Sequence, residues 1–206
     1  MNSVIVSDVD VQGFPRAIKG MRNSWCSWPS SDSRYDGNKY VIGNNDMRLM
    51  HKLIKAGPSH CKFRRMIVAW MDILAPLYWW KQFDTYKVGT VSNSCSTMHS
   101  IMCSPFTAHD FVFDGDPGAL DLSAFNDYRT AFLNEKDPKK KKRIWRSLIQ
   151  VLPSGYKQLR TVCANYEVLA HMVHDRKGHK LDEWSEFIEY MEDFPYSELI
   201  FGVDVM

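Results

Sequence analysis

Between Met66 and His99 the chain runs from an apolar stretch through a proline break and an aromatic cluster into a polar tract, MIVAWMDILAPLYWWKQFDTYKVGTVSNSCSTMH. This succession constrains the fold more than any other segment. Residues 66–74 are apolar except at Asp72, and with the preceding residues they make 63–74 the best strand candidate in the chain. Pro76 ends that run and suits the first position of a helix, where its missing N–H costs nothing. The predicted helix carries Tyr78, Trp79, Trp80 and Phe83 beside Lys81 and Gln82. It empties into a hydroxyl-rich loop over 89–98, with Thr90, Ser92, Asn93, Ser94 and Ser96. A strand, an aromatic helix and a polar loop in sequence can mount a ligand site on a rigid base. Trp79 and Trp80 are expected in the core or at a subunit interface rather than as a stacking platform.

The rest of the chain sets the context. A length of 206 residues suits one domain with a real core, residues 1–206 read as a single unit. Hydrophobic content of 45% with 24% charged residues is that of a globular protein, and a net charge of +2 gives no argument for a strongly basic nucleic-acid binder. The sequence contains no apolar run near the roughly 20 residues a membrane span needs, and the N-terminus lacks a signal-peptide pattern, so a cytoplasmic location is expected. Five cysteines without a CxxC pair point to reduced thiols. Cys95, His99 and Cys103 recur every four residues, but the surrounding Gly, Ser and Pro105 favour a loop, and no metal site is expected there.

Residues 2–9 alternate weakly and read as a strand. The stretch 23–38, rich in Ser, Asp, Gly and Pro, reads as a loop able to close over a site. Asn44–Asn45–Asp46 signals a helix start, with Met47, Met50, Leu53 and Ile54 on one face and Gly57–Pro58 at its end. Segment 105–121 reads as an insertion loop. Helices are predicted over 123–135, 138–150, 154–175 and 181–193. In the third, Leu159, Val162, Cys163, Tyr166, Leu169, Ala170 and Val173 recur at three- and four-residue intervals as a buried stripe. Asn165 and Arg176, eleven residues apart, would then share one face about 16 Å apart, enough for the two ends of an elongated ligand. In the last helix Leu181, Trp184, Phe187, Ile188 and Met191 form the apolar side, and Glu183, Glu186, Glu189 and Glu192 the polar one. The Lys139–Arg143 run reads as a solvated helix face, with an anionic partner as the alternative.

The order of these residues resembles the flavin-dependent thymidylate synthase family. Ala75–Pro76, then Lys81–Gln82–Phe83, then Thr85–Tyr86–Lys87 stand where that family has Ala-Pro, Arg-Gln-aromatic and an Arg-His-Arg triplet. Asn93 and Ser96 fall on the following loop, and Leu152–Pro153, Asn165 and Arg176 reproduce a downstream spacing. The resemblance covers roughly 44–195. It implies an α+β fold, a small sheet packed with helices and a helical C-terminal half, and reductive methylation of dUMP with FAD, NADPH and methylenetetrahydrofolate. It also implies a homotetramer with flavin sites between subunits. Carried over by position, Gln82, Asn93, Ser96 and Arg176 would bind substrate, Arg176 would be catalytic, and Tyr86, Lys87, Asn165 and His179 would bind the cofactor.

The departures point to rival readings. Thr85 and Tyr86 replace an Arg and a His, while Met98, Ile149 and Glu167 stand where further arginines are expected. A phosphate dianion in a partly buried pocket needs charge-assisted partners worth about 1.5–3 kcal/mol each. The first rival is therefore a homologue acting on a different pyrimidine nucleotide. The second is a non-catalytic assembly or nucleic-acid-binding protein using Lys139–Arg143.

Overall fold

A computed structural model describes residues 2–115 and 120–202. Its centre is a four-stranded antiparallel sheet. In chain order the strands and first helices are β1 (Ile5–Gln12), α1 (Phe14–Arg22), β2 (Arg34–Asp36), β3 (Lys39–Val41), α2 (Asn44–Lys55) and β4 (Val68–Pro76). There follow α3 (Leu77–Phe83), β5 (Thr90–Ser94), α4 (Thr97–Ser100), α5 (Leu122–Asn134), α6 (Pro138–Val151) and β6 (Lys157–Asn165). The chain ends in α7 (Tyr166–Arg176), α8 (Asp182–Glu192) and α9 (Glu198–Phe201). The sheet order is β1-β4-β6-β5, and β2–β3 is a separate hairpin.

Alternation along β4 decides which side of the sheet faces the core. Ala69, Met71, Ile73 and Ala75 are buried, and across the ladder Val162 and Ala164 of β6 join them. The opposite face aligns Trp70 with Cys163 and Val91, and Leu74 with Leu159 and Ile5. That face stays open: Trp70 is 40%, Leu159 42% and Val91 71% exposed.

Three sequence readings need correction. The strand begins at Val68 because 58–66 winds into 3-10 turns that start at Pro58 and bury Cys61 and Arg64 three residues apart. Residues 157–165 are the inner strand β6, and the helix begins only at Tyr166. Leu159, Val162 and Cys163 fitted a helical period by coincidence. Pairing with β4 on one side and β5 on the other overrides that pattern, because cross-strand partners distant in sequence do not register in periodicity. The polar tract after Gly89 is likewise an edge strand, β5, rather than a loop.

The main core gathers Trp79, Trp80, Phe83, Trp184 and Phe187, with the Trp79 ring 4.9 Å from Trp184 and 5.3 Å from Phe187. A second cluster forms under 101–111 and α6 from Ile101, Met102, Phe106, Phe111 and Leu148. Segment 105–121 is thus partly a packed element, since Phe106 and Phe111 meet Phe125 and Tyr156. Its residues 116–119 lie outside the described ones.

The 23–38 stretch is held on α2. Buried Asp46 pairs with Arg22 at 2.6 Å and accepts hydrogen bonds from Ser31 Oγ, Ser33 Oγ and the Asp32 and Ser33 amides. These bonds pin the stretch to α2, and its residues 34–36 form β2. Burial alone would raise the Asp46 pKa, but the hydrogen bonds from Ser33, Ser31 and Arg22 leave it below the ordinary carboxylate value. Among the described residues no helix is long and apolar enough to cross a membrane.

Candidate functional site

Pro76 closes β4 with extended backbone, so α3 starts one residue later than the sequence suggested. The helix turns Trp79, Trp80 and Phe83 into the core. Tyr78 and Gln82, four residues apart, share the side that meets α8. After α3 the chain doubles back along α7. Tyr86 lies at the C-terminal end of α7, bonded to Asp175 and Arg176, and Gly89 lies at its N-terminal end against Asn165.

These turns converge on Arg176. Its Nε donates to the Tyr86 hydroxyl at 2.9 Å and its Nη1 to Gln82 Oε1 at 3.3 Å. Trp184 Nε1 donates to the same Gln82 oxygen at 2.8 Å. The guanidinium carbon sits 4.8 Å from the Trp184 ring centre and 5.4 Å from that of Tyr86, contacts worth about 0.5–2 kcal/mol each. Burial raises the Tyr86 pKa, with Arg176 opposing, so the phenol stays protonated. Arg176 is therefore a half-buried cation held in one place, with its remaining N–H groups available to a ligand.

The other expected residues distribute along the same edge. His179 donates its backbone N–H to the Arg176 carbonyl at 3.0 Å, and its Nδ1 accepts from the Leu181 amide at 3.1 Å, which leaves the ring proton on Nε2. Asn165 caps α7 through Oδ1, accepting from the Val168 amide at 3.0 Å. Gly89 packs so closely that a Cβ there would come within 2.7 Å of Asn165 Nδ2. Lys87 is exposed between Tyr86 and Gly89. Asn93 pairs with Thr161 on the open sheet face, and Ser96 stands at the N-cap position of α4 without a side-chain capping bond. Among the described residues no hydrogen bond joins Asn93 or Ser96 to Arg176 or Gln82.

A cavity of about 930 Å³ opens beside Gln82, bounded by Tyr78, Phe111, Phe113, Leu181 and Glu183. Glu183, expected on the polar side of α8, is buried instead, because Tyr78 donates its phenol proton to it. Burial and that bond push the Tyr78 pKa far above the usual tyrosine value. Asp114, Asp182 and Glu186 also line the cavity, against the single ammonium of Lys180.

Sequence reasoning missed Tyr78, Glu183 and the polar role of Trp184. The only available signal was that tryptophan carries an N–H that needs a partner when buried. Glu167, where the resemblance implies an arginine, faces Arg64 at 3.9 Å and His171 at 3.7 Å. That contact leaves Glu167 Oε2 and Arg64 Nε without partners. Arg160 is taken up by Asp84 at 2.7 Å and by the Trp80 ring. Lys141 and Lys142 border an apolar groove of about 560 Å³ with Met98, Met102, Phe132 and Trp145. Among the described residues no group of three or more His, Cys, Asp or Glu is placed to hold a metal ion.

The donor set admits a flavin dinucleotide along α7. The stretch from Asn165 to Arg176 spans about 16 Å. Asn165 Nδ2 and Lys87 can donate at one end, and Arg176 and His179 at the other, where the Tyr86 hydroxyl proton is already given to Asp175.

The fold is that of the flavin-dependent thymidylate synthases. The thymidylate synthase X of Helicobacter pylori, solved with FAD and dUMP, superposes with a TM-score of 0.70 at 14% identity, covering 95% of each chain. A second structure of that enzyme with the same ligands gives 0.67 at 15% identity over 97% of this chain and 96% of that one. The UMP/dUMP methylase PolB of Streptomyces cacaoi, bound with 5-Br dUMP, gives 0.57 at 17% identity over 93% and 89%. No protein-family model and no curated protein matches the sequence.

Proposed function

We propose that this protein is a flavin-dependent thymidylate synthase-like methyltransferase acting on a uracil nucleotide, with FAD as cofactor and NADPH and methylenetetrahydrofolate as co-substrates. The observation that carries the reading is the convergence of Arg176, Gln82, Tyr86 and Trp184 beside a cavity, on a fold shared with enzymes solved with dUMP. Bound flavin would supply hydride. The chain's own residues have narrower tasks. Arg176 is the catalytic residue in this reading: its guanidinium would meet a pyrimidine carbonyl and stabilise negative charge developing there, an effect that depends on donors fixed before reaction. Gln82 would orient the base. Tyr86, Lys87, Asn165 and His179 would line the flavin.

A homo-oligomer, a tetramer in this reading, would account for Asn93 and Ser96. Asn93, paired with Thr161, belongs to the side of the sheet where Trp70, Leu159 and Val91 are exposed, and Ser96 follows just beyond the end of β5; a partner subunit packed there would receive them. The whole chain would then act as one domain, cytoplasmic and not bound to nucleic acid.

One observation favours a substrate other than dUMP. Four carboxylates line the cavity next to Gln82, so a phosphate has to point away from it, and the arginines expected to serve the nucleotide are absent at Met98 and Ile149. The second reading is a pyrimidine nucleotide or nucleoside bound chiefly through its base.

Thermal unfolding with FAD, then with FAD plus dUMP and other pyrimidines, tests both, followed by NADPH oxidation with each. A rise with FAD and a further rise with a pyrimidine is expected. No response to FAD, combined with salt-dependent oligonucleotide binding, would overturn the enzymatic reading.

A further inference from the structure

The turn after α1 presents an aromatic side chain that the core does not use. Trp25 is 86% exposed and belongs to neither hydrophobic cluster. The turn that carries it is nevertheless fixed. The Cys26 and Ser27 amides donate to the Asn23 and Arg22 carbonyls, both at 3.2 Å, and Arg22 Nη1 donates to the Ser27 carbonyl at 3.2 Å. Cys26 holds φ +49°, in the left-handed region that a residue with a Cβ rarely adopts. Backbone strain retained at an exposed turn, where it serves no packing, points to a functional position.

Trp25 borders a cavity of about 1010 Å³, with Met21, Leu49 and Leu53 as its apolar wall and Lys52 and His60 as basic groups. None of its lining residues is a carboxylate, and it shares none of them with the cavity beside Gln82. The surrounding charge is uncompensated. Residues 14–66 carry eleven lysines and arginines against three aspartates, in a chain whose two signs nearly balance. Two of those aspartates are engaged within the fold: Asp46 by Arg22, Ser31 and Ser33, and Asp32 by the amides of Asn45 and Asp46. Among the described residues Lys52 and His60 pair with no carboxylate.

We propose that this cavity is a second ligand site, for a nucleoside phosphate whose base stacks on the Trp25 indole and whose phosphate meets Lys52 and His60. An exposed indole on a fixed turn offers a stacking face, and such stacking accepts any base because every base has a π-face. The basic surroundings call for an anion. An aliphatic anion would satisfy the charge and leave the indole uncovered, and a bare nucleoside would do the reverse. A nucleoside phosphate meets both, and a cavity of this size has room for one. The inference is independent of the pyrimidine reading of the Gln82 site.

The test is calorimetry and tryptophan fluorescence of the full chain, with and without FAD, titrated with ATP, AMP, adenosine and inorganic phosphate. Saturable binding is expected, strongest for ATP, then AMP, then adenosine, weakening with salt and quenching tryptophan emission. Trp25→Ala should weaken AMP by about tenfold and abolish the quenching. Lys52→Gln should bring AMP down toward adenosine. Both side chains are exposed, so both variants should unfold like the wild type. Four results would overturn the inference: AMP affinity unchanged in both variants, inorganic phosphate bound as tightly as AMP, AMP displaced by FAD, or an oligonucleotide bound where AMP and ATP are not. The displacement result would assign the cavity to the cofactor. A failure of FAD itself to bind would sink the flavin reading and leave this one standing.

Discussion

Arg176 gives its Nε–H to the hydroxyl of Tyr86 at 2.9 Å, joining the last turn of α7 to a residue ninety positions earlier. Tyr86 stands where the resemblance implies a flavin-side histidine, and here its oxygen holds a guanidinium. Tyr86→Phe should leave the fold intact and weaken pyrimidine binding by about tenfold, the loss expected for one hydrogen bond to a charged group. Arg176→Lys cannot reach Tyr86 and Gln82 together in the same geometry. It should lower turnover by about 10²–10³, as loss of a fixed transition-state donor does. Steady-state kinetics beside thermal unfolding checks both.

Asp46 gives a pH-dependent stability. Its folded pKa lies below its unfolded one, which for an aspartate is about 3.9. The hydrogen-bonded pair therefore stabilises the fold above that value and loses its effect as pH falls through the lower folded pKa. Asp46→Asn strips the counter-charge from buried Arg22 and should cost about 3–5 kcal/mol at neutral pH. Denaturant titrations should show the gap between wild type and variant closing below about pH 4.

Gly89 and Asn165 form one device. Gly89 sits at φ +91°, and a methyl group there would press within 2.7 Å of the Asn165 amide. Gly89→Ala should destabilise by about 1–3 kcal/mol from backbone strain alone. Asn165→Ala should cost about 1 kcal/mol through the lost cap on α7. Asn165→Asp keeps the cap and removes the Nδ2 donor, so in the flavin reading it should reduce FAD affinity while leaving stability near that of the wild type. Urea unfolding and FAD titration separate the two roles.

The open sheet face makes a prediction about assembly. Trp70 on β4 and Leu159 on β6 are exposed on one side of the sheet, away from the core. Trp70→Glu should leave the subunit folded and shift the assembly to a smaller species in light scattering. An unchanged mass would show that the oligomer, if formed, uses another surface.

Much of this architecture could be read from local pattern. Asn44–Asp46 and Gly57–Pro58 marked α2 at both ends, and Asp137–Pro138 marked the start of α6, because caps, prolines and glycines act within a turn of their own position. The placement of β6 was not legible. Its apolar residues satisfied a helical period, and only the ladders to β4 and β5 distinguish the two.

The sequence by itself, through its resemblance, singled out Gln82, Tyr86, Asn165 and Arg176 as candidate site residues and showed that arginines expected beside them were missing. Tertiary structure alone decided that Arg176 rests on Tyr86, that Trp184 turns the Gln82 amide, and that Glu183 is buried beneath Tyr78. Those relations join residues about 90 to 105 positions apart. A hydrogen bond depends on distance and direction in space, and side chains so far apart in the chain acquire these only when the core between α3, α7 and α8 closes.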